Sequence, residues 1–275
     1  MRASILLLAL VACERPSPRV ICHNANCIAP SAERDDSLPV LDESLALTYG
    51  GLPLVDGVEL DTFWFGAESR CLFAHDLDHD TSTSAVVAAQ HVADHLASTD
   101  RPAWNGERFY VLVELKANVA DPYDSFHTPE QRALHAECAL DVLDTVLAGA
   151  RARGHMITVG FLSSAPALLR ELVARPRWSA YDSAPDLERM LIGDIFAPYS
   201  SVVPELSDYE VPLDGMEFHP DFMTRTREET YRALGLELFQ WSFVMTPEAF
   251  DSLERWEPAF VLTNEARLVR NWIER

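Results

Sequence analysis

Short apolar runs rich in Val, Ile, Leu and Phe recur along the chain and alternate with longer amphipathic segments, a rhythm that predicts alternating strands and helices. Strands are predicted near 19–23, 57–61, 71–75, 109–116, 156–161, 190–194, 214–218, 236–242 and 259–263, and helices near 40–49, 84–97, 129–153, 165–174, 227–234, 247–254 and 265–273. Some helix starts are marked by their chemistry. Thr128, Pro129 and Gln131 supply an N-cap, a proline at the first helical position and a capping-box partner, and Thr226 with Glu229 repeats the box. Alternation sustained over about 250 residues is the pattern of an α/β fold of the (β/α)8 TIM barrel type, built as a single domain, with a doubly wound open sheet as the competitor. Nine strand candidates are one too many for that barrel, so either 190–194 or 214–218 is expected to lie outside it.

Composition narrows the functions. The 275 residues carry 43 acidic and 22 basic side chains, a formal charge of −21, which excludes a nucleic-acid footprint. Only one of the basic residues, Lys116, is a lysine; the other 21 are arginines. A compact ammonium at that one position, where a planar guanidinium would not serve, is the functional reading; chance is the bland one. No GxGxxG or GxxxxGK[ST] run is present, which removes the commonest dinucleotide and nucleotide readings.

The start, MRASILLLALVACERPSP, has a basic residue, a short apolar run and small residues before Cys13, the layout of an export signal. LVAC resembles the lipobox of bacterial lipoproteins, which makes residues 1–12 a leader, Cys13 a lipidated N-terminus, 13–18 a short linker and 19–275 the barrel. A plain signal peptide is the alternative. Either way the protein is expected outside the cytoplasm, in the bacterial cell envelope, with membrane contact through the lipid anchor if Cys13 carries one. There Cys22 and Cys27 can close a small disulfide loop around His23, or remain buried thiols beside Cys71 and Cys138.

Barrel enzymes carry their chemistry at the C-terminal ends of the strands. The first predicted strand ends VICHN, with His23; the second VELD, with Glu59 and Asp61; the third LFAHD, with His75 and Asp76; the fourth YVLVELK, with Glu114 and Lys116. The two-residue spacing puts Glu59 with Asp61, and Glu114 with Lys116, on one strand face each. Each residue alone reads as a cap or salt bridge. Together, carboxylates gathered at one mouth fit a hard divalent cation, Mg2+ or Ca2+, because unpaired buried charges are costly there. A metal, two imidazoles and an ammonium are the parts of displacement at a phosphodiester. Asp76–Asp80, DLDHD, imitates half of a calcium loop but lacks its central Gly and terminal Glu. Glu217 and His219 share a strand face, where a structural hydrogen bond competes with a substrate contact.

The ordered set His23, GVELD, AHD and VELK resembles the motifs of the glycerophosphodiester phosphodiesterase family, and FQWSF and FVLTN resemble its last two strands. Carried over, the resemblance implies metal ligands Glu59, Asp61 and Glu114, catalytic His23, His75 and Lys116, and a mouth lined by Trp241; Asn24 and His219, read from their strand-end positions, are further candidate substrate contacts. It implies a small-molecule or lipid phosphodiester substrate and one divalent cation. Departures are visible: Asn24 and Ala25 stand where the family has Arg-Gly, and its Glu-Asn-Thr is represented only by Asp42–Ser44. Sphingomyelinase D-like phospholipases, a related branch, also lack that Arg-Gly, so phospholipase D activity is an alternative, as is a non-catalytic envelope binding protein.

Overall fold

A computed structural model describes residues 17–30, 34–75, 82–106, 108–116, 127–195 and 204–275. The leader at 1–12, Cys13 and the Asp76–Asp80 run lie outside the described residues. Eight parallel strands close into a barrel: β1 (Arg19–Cys22), β2 (Gly57–Phe65), β3 (Phe109–Lys116), β4 (Ile157–Ser163), β5 (Leu187–Asp194), β6 (Gly215–Phe218), β7 (Glu237–Ser242) and β8 (Phe260–Thr263). β1 pairs with both β8 and β2, which removes the sheet edges. The surrounding helices are α1 (Leu38–Ala46), α2 (Ala85–Ser98), α3 (Pro129–Arg153), α4 (Pro166–Val173), α5 (Pro176–Ala180), α6 (Arg225–Ala233), α7 (Pro247–Trp256) and α8 (Ala266–Ile273). No helix among the described residues is long and apolar enough to cross a membrane.

The supernumerary strand is neither of those expected. Both 190–194 and 214–218 belong to the barrel, whereas 71–75 contributes Arg70–Phe73, which runs back antiparallel along an extended β2. Its apolar alternation is that of a barrel strand, but the tight turn after Phe65 reverses the chain before it can cross over to a parallel position. α1 ends earlier than expected, because Thr48–Tyr49 pairs with Leu52–Pro53 around Gly50 and Gly51, both at positive φ. The Thr128 capping box forms. At α6 the cap is Thr224, whose side chain accepts from Arg227 N, in place of Thr226.

Alternate strand residues build two cores. Ile21, Leu112, Leu162, Ile192, Phe239 and Leu262 face inward and plug the barrel, while Val20, Val58, Val111, Val159 and Phe161 face outward under the helices. Burying each such side chain stabilises the fold by about 1.5–3 kcal/mol. Two disulfides add cross-links: Cys22–Cys27, with Cα atoms 5.0 Å apart, and Cys71–Cys138, which ties the return strand to α3 across 67 residues.

Candidate active site at the barrel mouth

One step beyond the plug along the same faces the side chains become polar. Register pairs Glu59 with the inward-facing Leu112, and Asp61 with Glu114, so all three carboxylates enter the barrel above the apolar floor. Each offers an oxygen within 4.8 Å of the other two. Oxygens that close can reach one ion, since oxygen ligands stand ~2.0–2.6 Å from Mg2+ or Ca2+. Glu59 is 1% exposed and Asp61 0%; Glu59 Oε1 and both Asp61 oxygens are buried without a hydrogen bond. Unsatisfied, all-oxygen and anionic, this donor set fits a hard divalent cation.

Lys116 is the cluster's one organic cation among the described residues. Its Nζ donates to Glu114 Oε2 at 2.7 Å and lies 3.3 Å from Asp61 Oδ2, off hydrogen-bond direction. Burial alone would lower its pKa, but Asp61, Glu114 and Glu59 outweigh burial and hold it well above the usual lysine range. Burial, then Glu114, raises the Glu59 pKa to about 8, and burial also carries Asp61 well above the usual carboxylate range.

His23 follows β1 in a short turn clamped by Cys22–Cys27. Its Nδ1 is 2.9 Å from Asn264 Oδ1, at the end of β8. Asn264 Nδ2 donates to Asp35 Oδ1 at 3.0 Å, which fixes the amide so that its oxygen faces the imidazole. Nδ1 therefore carries the proton and Nε2 is left as the acceptor, 4.0 Å from Glu59 Oε2. Burial outweighs that hydrogen bond and lowers the His23 pKa to about 4, so the ring is neutral near pH 7. Trp241 stacks on His23 at 5.5 Å with planes 3° apart.

The other expected residues are placed as follows. His75 lies just beyond the return strand, near enough for its charge to lower the His23 pKa; it comes from a hairpin on β2, not from a third barrel strand. Asn24 N donates to Glu59 Oε2 at 3.0 Å, and its side chain turns to Asp35. His219 is half-buried beside Trp241, ring centroids 4.7 Å apart, and its Nδ1 accepts from Asp221 N. No hydrogen bond joins it to Glu217.

Asp35 and Asp36 are the residues that sequence reasoning missed. Asp42 and Glu43 sit on the solvent side of α1, and the acids facing the mouth are instead Asp35 and Asp36, just before its Ser37 N-cap. Asp35 accepts from Asn24, Asn26 and Asn264. Asp36, at φ 51°, has both carboxylate oxygens buried without a partner, and burial followed by the charge of Asp61 raises its pKa well above the usual range. A DD-before-helix signal is visible in the sequence, yet nothing local tells that it is buried.

Comparison of the sequence with protein-family models gives no match, and comparison with curated proteins gives none either. Solved structures do resemble it. A glycerophosphodiester phosphodiesterase from Parabacteroides distasonis matches with a TM-score of 0.60 at 13% identity, covering 94% of this chain and 98% of that one. One from Agrobacterium tumefaciens matches at TM-score 0.51 and 15% identity, covering 93% and 100%. An Oleispira antarctica phosphodiesterase, in complex with its product sn-glycerol-3-phosphate, matches at 0.56 and 13%, covering 94% and 98%. At these identities the common property is the fold: this chain is a (β/α)8 barrel of the kind those phosphodiesterases adopt along their whole length.

Proposed function

We propose that the protein is a metal-dependent phosphodiester hydrolase acting on glycerophosphodiesters or phospholipid headgroups. The observation that carries this reading is the convergence of Glu59, Asp61 and Glu114 within 4.8 Å beside a neutral His23, on the barrel that the phosphodiesterases share. Glu59, Asp61 and Glu114 hold the cation, which when bound withdraws charge from the phosphoryl oxygens. Lys116 supplies a second positive charge to a non-bridging oxygen, moving from its carboxylate partners toward the substrate. His23 Nε2 takes the proton of the attacking oxygen, with Asn264 and Asp35 fixing the tautomer. His75 gives a proton to the departing alcohol oxygen, and the flat stack with Trp241 keeps the His23 ring from turning.

Export to the bacterial cell envelope, with Cys13 lipidated, completes the proposal. The leader's layout supports it, and so do two disulfides, which persist in oxidising compartments. Phospholipase D-like turnover is a second reading, favoured by the residues after His23: no cationic side chain follows it, and Asn24 is spent on Asp35 and Glu59. Incubation with Mg2+ or Ca2+ and glycerophosphocholine, lysophosphatidylcholine or sphingomyelin, with assay of freed choline and glycerol phosphate, separates the readings. Turnover of none of the three, with and without metal, leaves the non-catalytic binding protein standing.

A further inference from the structure

His75 differs from the other residues of the proposed chemistry in that no barrel strand delivers it. The end of β1 makes room for its route. β1 stops at Cys22, in register with Val58, and leaves the upper edge of β2 open. The return strand Arg70–Phe73 fills that edge in the opposite direction, from Phe65 opposite Arg70 to Thr62 opposite Phe73. Ala74 N carries the pairing one step further by donating to Asp61 O at 3.2 Å. His23 thus arrives along the β2 edge from below and His75 from above, and they converge beside the strand that supplies Glu59 and Asp61, close enough for the charge of one to act on the other.

A four-residue strand on a two-stranded ribbon is held weakly by its own hydrogen bonds. The register of β2 with β3 ends at Phe63 and Lys116, so the ribbon beyond it rises above the barrel wall. There α3 braces it at three heights. At the tip, Gly66 lies so near Gln131 that a Cβ would stand 2.2 Å from Gln131 Nε2. Below the tip, Cys71, in register with Trp64, is bonded to Cys138. At the base, the fully buried His135 has Nε2 3.0 Å from Thr62 Oγ1 and 3.1 Å from Thr62 O. Only the middle brace is covalent, and it falls four residues before His75. On its other edge the return strand bonds to Thr83 and Ser84, part of the connection it leads into. A cross-link between residues this far apart also restricts the unfolded chain, the ordinary reason for a disulfide. Its place in the fold adds a second reason: it clamps the element that carries His75, whereas Asp61 and Glu114 are already aligned by β2–β3 pairing.

We propose that the Cys71–Cys138 disulfide is a positioning element for catalysis, fixing the return strand against α3 so that His75 is held at the mouth. Protonation of the departing oxygen then depends on oxidation of this cysteine pair, while the carboxylate cluster and His23 do not. The proposal deepens the phosphodiesterase reading and rests on it. In the step concerned the attacking oxygen bonds to phosphorus and gives its proton to His23 Nε2. The bond from phosphorus to the alcohol oxygen breaks with its electron pair on that oxygen, and the His75 imidazolium passes it a proton, leaving a neutral imidazole and a free alcohol. A p-nitrophenolate departs as a stable anion and needs no such proton.

The Cys71→Ser/Cys138→Ser protein, assayed with Mg2+ or Ca2+ on glycerophosphocholine and on bis(p-nitrophenyl) phosphate, tests this. Turnover of glycerophosphocholine should fall about 100-fold, the scale of a lost general acid, while the p-nitrophenyl diester stays within roughly threefold. His75→Ala should show the same split, and adding it to the disulfide variant should cost little more, because the two changes remove one function. Equal losses on the two substrates, losses that add, or no loss on either reduce the disulfide to a structural cross-link and overturn the proposal. If the serine pair fails to fold, Cys71→Val/Cys138→Ala keeps the contact apolar and carries the same expectations. Amide hydrogen exchange reads the brace without turnover: in the disulfide variant protection should drop at Phe73 and Ala74 and persist in β3 and β4. That drop, in a protein whose wild type cleaves neither diester, sinks the hydrolase reading and leaves the brace. Turnover by the wild type with protection at Phe73 and Ala74 unchanged in the variant sinks the brace alone.

Discussion

Arg270 with Asp56 at the closed end of the barrel, and Lys116 with Glu59, Asp61 and Glu114 at the mouth, are both buried charge clusters built to different rules. At the closed end every group is answered. Asp56 Oδ2 accepts from Arg270 Nη2 at 2.5 Å and from Val20 N at 2.9 Å, Asp56 Oδ1 from Asn105 N at 3.3 Å, and Arg270 Nε donates to Leu54 O at 2.8 Å. The guanidinium also lies 4.8 Å over Trp104. At the mouth one ammonium faces three carboxylates, and three of their oxygens have no hydrogen bond. The closed end is organised for stability and the mouth gives stability up to keep anionic oxygens available, the division expected of the two faces of a (β/α)8 enzyme.

Exchanging the roles of the two ends breaks the comparison most visibly at Asp61. Asp61→Asn should lower metal-dependent turnover roughly 10^4-fold, about 5 kcal/mol of transition-state stabilisation, while raising the melting temperature of the chelator-treated protein. A drop in both activity and stability would contradict the assignment of this cluster to function. Asp56→Ala should do the opposite: it strands Arg270 and costs about 3–5 kcal/mol in denaturant unfolding, with kcat of the folded fraction little changed.

The pH dependence sharpens the contrast. His23 has a folded pKa of about 4 against an ordinary 6.5, so the fold favours its neutral form; that contribution is complete above about pH 6.5 and is lost as pH falls toward 4. The stability difference between wild type and His23→Gln should therefore change by up to ~3 kcal/mol over that window, read from melts at each pH. Asp36 has the reverse sign, because its folded pKa is raised: its carboxyl is accommodated when protonated and destabilises as pH rises above the ordinary carboxylate range. Asp36→Asn should stabilise the apo protein by ~1 kcal/mol at pH 7 and by nothing near pH 3, and a flat difference across that range would remove the burial argument.

Much of the barrel and its carboxylate cluster is legible in the sequence because the strand period commits side chains before the fold is known. In VELD and VELK two-residue spacing puts each acidic pair on one face, and barrel register then brings Asp61 opposite Glu114. The same period cannot tell a barrel strand from a hairpin return, so CLFAH reads as the former. Loop residues have no period at all. Asp35 is fixed by Asn264, 229 residues away, and Asp36 acquires its environment from β2 and β3, information carried only by the closed barrel. Glu217 was visible, but its partner in register, Asp194, lies on another strand, and the pair exists only in three dimensions.

The bond between His23 and Asn264 spans 241 residues and joins the first strand to the last. Its consequence is temporal. During synthesis the imidazole emerges early with neither its orienting amide nor the wall supplied by Trp241, and both arrive only when the final strands close the barrel. A chain paused before β8 thus holds all three carboxylates and both histidines yet lacks the amide that fixes the His23 tautomer, so the candidate site is completed at the last step of folding rather than accumulating along the way.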